Sequence, residues 1–224
     1  MRWFVRSAEN LALIESEGRR LAHATRRDPA RAVPQYPDWT LADLASHTAS
    51  IHGRTVLICR DLPQDRISAP RLPEGMDPID WFEQTLVEMV EALAISDPTT
   101  SSWAFGPDQV LGFWKTRMLI ETGVHRWDAE QAFGEPESLH DRVAAAGLDE
   151  FGNLWLSQLG DVQSLTVRTT DLGRTWRYGK EDSGAQVEGL ASEIYLRLIS
   201  RPSPVELPVD WATAVDSLPP PPKR

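Results

Sequence analysis

The chain has 224 residues, 41% of them hydrophobic and 25% charged, enough to bury a core in one large domain or two small ones. Its net charge of −10 opposes both the basic stripe of a nucleic-acid binder and docking on an anionic membrane, and no apolar run reaches the length of a membrane-spanning helix. One cysteine, Cys59, excludes an internal disulfide and any cysteine-rich zinc cluster. The N-terminal stretch mixes charges into its apolar residues and lacks a signal-peptide core, so a cytoplasmic location is expected.

Residues 4–27 carry Phe4, Ala8, Leu11, Ala12 and Leu21 at helical spacing, and three prolines in "RDPARAVPQYPDW" then break the pattern. Thr40 is placed to cap a second helix, with Asp43 completing a capping-box spacing and Leu41, Leu44, Ile51 and Ile58 on its apolar face. Asp77 and Pro78 open a third helix, whose stripe is Ile79, Phe82, Leu86, Met89, Val90 and Leu93. A fourth is expected from Val110 to Phe133, stopped by Gly134, and a fifth from Asp141 to Leu159. Near residue 160 the period changes. "SLTVRTT" and "TWRY" read as strands about a turn at Asp171–Arg174, and "EGLASEIYLRLIS" reads as a helix. The tail "SLPPPPKR" reads as extended chain. The expected organisation is mainly α: a helical bundle over residues 1–160, followed by a small α+β domain with a proline-rich tail over 161–224.

The fourth helix raises the question of function. In "IETGVHRWDAEQAFG", Glu121 and His125 lie one turn apart and project from nearly the same side, with Arg117 one turn before and Asp128 three residues after. One reading is a solvated charged ladder, in which each exposed pair adds only about 0.2–0.5 kcal/mol. The other is a metal site, since imidazole and carboxylate together suit zinc. Such a site needs a ligand from another helix. His47 lies beside the apolar stripe of the second helix, where a histidine is ordinarily a satisfied core residue. His52 is rotated roughly 140° from it, and His23 and His140 sit in charged or loop contexts. A His47/Glu121/His125 set would leave one position open, the layout of a catalytic rather than a structural zinc site.

Two segments resemble a known family. "YPDWTLADLASHTASIHG" and "FWKTRMLIETGVHRWDAEQAFG" are similar to the two signatures of the mycothiol-dependent maleylpyruvate isomerase family, within the DinB-like helical bundles, and "AAAGLDEF" and the C-terminal "LTVRTTDLGRTWRYG" extend the similarity. Tyr36 stands where many relatives have cysteine, and Thr48–Ala49 replace a common Leu-Gly. The resemblance implies a DinB-like up-down bundle carrying a divalent metal, usually zinc, on His47, Glu121 and His125. It also implies mycothiol as a cosubstrate thiol, and a C-terminal arginine in the active site that aligns with Arg201.

The expectation is therefore a metal-dependent enzyme whose partners are a small-molecule thiol and a small electrophilic substrate. It performs either cis-trans isomerisation of a maleylpyruvate-like acid or S-transfer. A metal-assisted hydrolase and a non-catalytic binding or regulatory module with a vestigial metal site are the alternatives.

Overall fold

The computed structural model describes residues 7–179 and 184–219. Phe4 of the expected first helix and residues 220–224 of the proline-rich tail lie outside the described residues. The chain divides into two compact units, one running to Glu137 and the other beginning at Ser138. The division expected from the change of period was 160; in the structure the helix that begins at Asp141 groups with the strands that follow it.

The first unit is built on four long helices: α1 (Ser7–Arg27), α2 (Leu41–Asp61), α3 (Pro78–Ile95) and α4 (Leu111–Gln131). At 1.5 Å per residue, helices of 18 to 21 residues run about 30 Å. α2 packs on α3, α3 on α1, α1 on α4 and α4 back on α2, closing an up-down ring around one core. Ile14, Leu21, Leu44, Ile58, Phe82, Met89, Trp114 and Met118 fill that core. Trp127 is buried as well, so Trp114 and Trp127 are packing residues.

Local chemistry explains where the helices begin. Thr40 accepts from the Asp43 amide while the Asp43 carboxylate accepts from the Thr40 amide, a complete capping box. Asp77 accepts from the amides of Ile79 and Asp80, with Pro78 in the first turn. Ahead of α2, the segment read as broken chain contains a short ladder, β1 (Ala32–Val33) with β2 (Tyr36–Thr40). Five residues and two partners are too few to give a periodic signal.

The second unit opens with α5 (Asp141–Glu150), whose N-cap is His140. The helix expected to continue to Leu159 instead widens into a π turn at Phe151–Trp155 and tightens into a 3-10 turn at Leu156–Gln158. β3 (Leu165–Thr169) pairs antiparallel with β4 (Thr175–Tyr178) and parallel with β5 (Ala185–Gly189), giving the order β4-β3-β5. Leu165 and Val167 of β3, Trp176 and Tyr178 of β4 and Val187 of β5 are buried at alternate positions. Tyr178 donates to the Leu148 carbonyl and Trp176 to Asp149, tying the sheet to α5.

α6 (Ala191–Leu198) follows, and α7 (Val209–Asp216) inserts the fully buried Trp211, whose Nε1 donates to the Gln163 carbonyl. Glu188 and Gly189, expected in the α6 helix, belong to β5. None of the helices among the described residues is long and apolar enough to cross a membrane.

Candidate metal centre

His47 projects from the second turn of α2, and Glu121 and His125 from successive turns of α4. All three are at most 6% exposed. A solvated ladder on α4 is therefore not what the fold makes of this spacing. Glu121 Oε1 lies 3.5 Å from His47 Nε2 and 3.3 Å from His125 Nε2, and one donor atom from each residue falls within 4.8 Å of the other two. The two imidazoles meet edge to face at 5.3 Å between ring centres.

These separations test the fit to an ion. Charge-assisted N–H···O bonds run about 2.7–2.9 Å, shorter than both contacts. A tetrahedral zinc with bonds of about 2.0–2.1 Å separates its ligand atoms by about 3.3–3.4 Å. The spacing around Glu121 Oε1 thus matches two edges of a coordination tetrahedron better than two hydrogen bonds. Two imidazoles and one carboxylate are also a donor set that zinc accepts.

Each donor is held from behind. The Nδ1–H of His125 donates to Asp128 Oδ2 at 3.0 Å, and Asp128 is fully buried. That bond fixes the ring and points Nε2 at the common centre. The Arg117 guanidinium, one turn before Glu121, donates to Glu121 Oε2. His47 rests against the Trp39 indole at 4.9 Å between ring centres. Trp39 sits at the end of β2, one residue before the Thr40 cap, so the capping box also places the wall behind His47.

Electrostatics follow from this packing. Burial pushes the Glu121 carboxyl up, but Arg117 and His125 override it and hold the group well below its usual range. Burial likewise pushes His125 down, yet the Glu121 and Asp128 carboxylates raise it to about 9. Without an ion, the pair at neutral pH is an imidazolium beside a carboxylate.

His52 is excluded from this centre. It is fully buried, its Nε2 is hydrogen-bonded to Thr122 Oγ1 at 3.0 Å, and its ring packs on Phe82. Burial drives it down to about 3, so it stays neutral. His23 and His140 are exposed.

Arg201 lies in the second unit, just beyond α6. Its amide donates to the Leu196 carbonyl and its Nη1 to the Ile199 carbonyl. The supporting residues carried different signals in the sequence. Arg117 and Asp128 were visible as spacing on α4, but Trp39 carried none, because a neighbour across a turn has no period.

An up-down bundle of this topology, followed by a small α+β unit, is a DinB-like helical protein. The chain belongs to the family described as mycothiol maleylpyruvate isomerase N-terminal domain, whose profile matches residues 11–130. That match contains all three donors. The fold is similar to crystal structures of the mycothiol-dependent maleylpyruvate isomerase and of a histidine-to-alanine mutant of it. The TM-scores are 0.70 and 0.72, at 14% identity, over 91% of this chain and 95% of theirs. Among curated proteins no sequence matches.

Proposed function

We propose that the chain is a metal- and thiol-dependent enzyme acting on a small electrophilic acid, with cis-trans isomerisation of a maleylpyruvate-like substrate as the reaction and a mycothiol-like compound as the thiol. The observation that carries this reading is the Glu121 carboxylate oxygen facing two buried imidazole nitrogens at 3.3 and 3.5 Å. Family membership supports the choice of thiol and reaction.

His47, Glu121 and His125 would hold the ion. Bound there, a divalent cation supplies the means to keep a thiol as thiolate at neutral pH, where the free thiol is mostly protonated. The chain needs no nucleophilic cysteine of its own for this, and Cys59, a half-buried residue whose thiol burial pushes up, is unsuited to the part.

The isomerisation balances without a net proton. A carbon–sulfur bond forms as the alkene π pair shifts onto the conjugated carbonyl. The former double bond rotates as a single bond. The pair returns, and the thiolate leaves. His125, held by Asp128, keeps its Nδ1 proton throughout. Buried packing on α2 and α4 keeps the donors dry, which strengthens their electrostatics. Arg201 would pair with a substrate carboxylate, a task for which a guanidinium fork is suited.

The test is metal analysis of purified protein beside His47→Ala and Glu121→Ala, followed by assay with maleylpyruvate with and without mycothiol. Near-stoichiometric zinc, lost in both variants, and turnover only with thiol are expected. A stable thiol conjugate in place of returned thiol would identify S-transfer. Turnover without thiol would identify a hydrolase. A metal-free wild type prepared without chelators would end the reading. Arg201→Ala is expected to raise KM for the acid while leaving zinc content unchanged.

A further inference from the structure

The two oxygens of Glu121 are not equivalent. Oε1 faces both imidazoles, at 3.3 Å from His125 and 3.5 Å from His47, while Oε2 accepts from Arg117. Arg117 lies four residues earlier on the same helix, so α4 itself brings the two side chains together. Its side chain is only 16% exposed, and the carboxylate it grips is 7% exposed, so little water competes for the bond.

We infer that Arg117 is the positioning residue that keeps Glu121 a one-oxygen ligand. The inference rests on the metal-site reading above and adds a specific consequence to it. A carboxylate can bind a cation through one oxygen or through both. Turning Glu121 to present both oxygens to one ion would draw Oε2 away from the position in which it accepts from Arg117. While that bond holds, the protein supplies three donor atoms and no fourth, and the remaining position stays available for a thiol. The Arg117 charge also offsets the carboxylate. The donor set is then nearly neutral overall, which leaves an anionic sulfur more strongly attracted to the cation. On an exposed helix the same Arg-Glu pair would be a minor surface contact; here it controls the number of donors.

The experiment uses the full chain loaded with cobalt(II), whose visible absorption is intense in four-coordinate sites and weak in higher coordination, and then titrated with 2-mercaptoethanol. Wild type is expected to give the intense spectrum and a sulfur-to-cobalt charge-transfer band on adding thiol. In Arg117→Met and in Arg117→Ala the visible bands are expected to weaken as Glu121 takes two positions, and thiol binding to fall by about 10–100-fold, the range seen when a ligand's supporting partner is lost. Arg117→Lys, which keeps a cation and a donor, is expected to restore most of both signals.

Methionine and alanine variants with wild-type spectra and thiol affinity would overturn the inference while leaving the metal site standing. A lysine variant as altered as the methionine one would also overturn it, because retaining charge and a donor would then be irrelevant. A wild type that takes up no cobalt, indistinguishable from His47→Ala, would overturn the site and this inference together.

Discussion

Asp128 accepts from His125 Nδ1 at 3.0 Å, three residues further along the same helix, and neither side chain is more than 6% exposed. A buried carboxylate placed behind an imidazole fixes both the ring's orientation and which nitrogen is left to act. Asp128→Asn is therefore expected to weaken zinc binding by about 10–100-fold with the bundle still folded. Competition with a chromophoric chelator, beside circular dichroism, measures it. Zinc affinity equal to wild type would mean that the carboxylate's charge is not needed, since the asparagine oxygen can accept the same bond.

The same carboxylates impose a pH dependence. His125 rises from its ordinary 6.5 to about 9 because Glu121 and Asp128 outweigh burial. A metal ion must displace the proton on Nε2, so apparent zinc affinity should tighten as pH rises toward 9, by up to about tenfold per unit. Stability of the metal-free protein runs the other way. A pKa raised on folding stabilises fully below 6.5 and loses its contribution as pH climbs through 9. Thermal melts of metal-free and zinc-loaded protein between pH 6.5 and 9 should diverge steadily. A gap that stays constant would contradict the proton competition.

Behind the site, Arg126 is fully buried and joins Glu17 of α1 to Glu130 of α4 at 2.7 and 2.8 Å, while Nη1 also donates to the Glu137 carbonyl. Removing Arg126 leaves the buried Glu17 carboxylate without its ion pair, while Glu130 keeps Arg20 at 2.7 Å. Arg126→Met is expected to cost about 3–5 kcal/mol in urea unfolding, and the Glu17→Leu/Arg126→Met pair to recover much of it. A loss below about 1 kcal/mol for the single variant would show that water enters to solvate Glu17.

In the second unit, α5 and α6 approach so closely that a Cβ on Gly147 would meet the Tyr195 ring. Gly147→Ala is expected to destabilise by about 1–3 kcal/mol. Adding Tyr195→Phe should not relieve it, because ring carbons and not the hydroxyl are in the way. Melting temperatures of the single and the double variant beside wild type decide this. A neutral alanine would mean that the two helices shift apart freely.

Much of this was legible in the amino-acid order. The Thr40 and Asp77 caps, the stripes of α2 and α3 and the β3–β4 hairpin all depend on neighbours within a few residues, and all stand where spacing put them. The stripe expected for α1 does not, since Ala8 and Ala12 are exposed and Ile14 and Leu21 carry the buried face. Nomination of His47, Glu121 and His125 also came from spacing, but spacing alone could not separate a buried centre from a solvated ladder. That distinction is tertiary: it depends on α2 lying against α4. What stayed hidden was likewise non-local. β5 joins β3 in parallel across an intervening segment, so its last two residues, Glu188 and Gly189, read as the start of a helix. The π turn at Phe151–Trp155 keeps helical spacing in the sequence while changing its hydrogen bonds. Helix α7 is eight residues long and buries only Trp211 and Val215, too few to show a period.

The Thr40 capping box has a bearing on protein engineering. The turn that starts α2 also delivers Trp39 to the face of His47. Grafting the three donors onto an unrelated scaffold would move the chelating atoms without the indole that steadies one of them. A faithful transplant would begin upstream, at Tyr36, and carry the turn along with the helix.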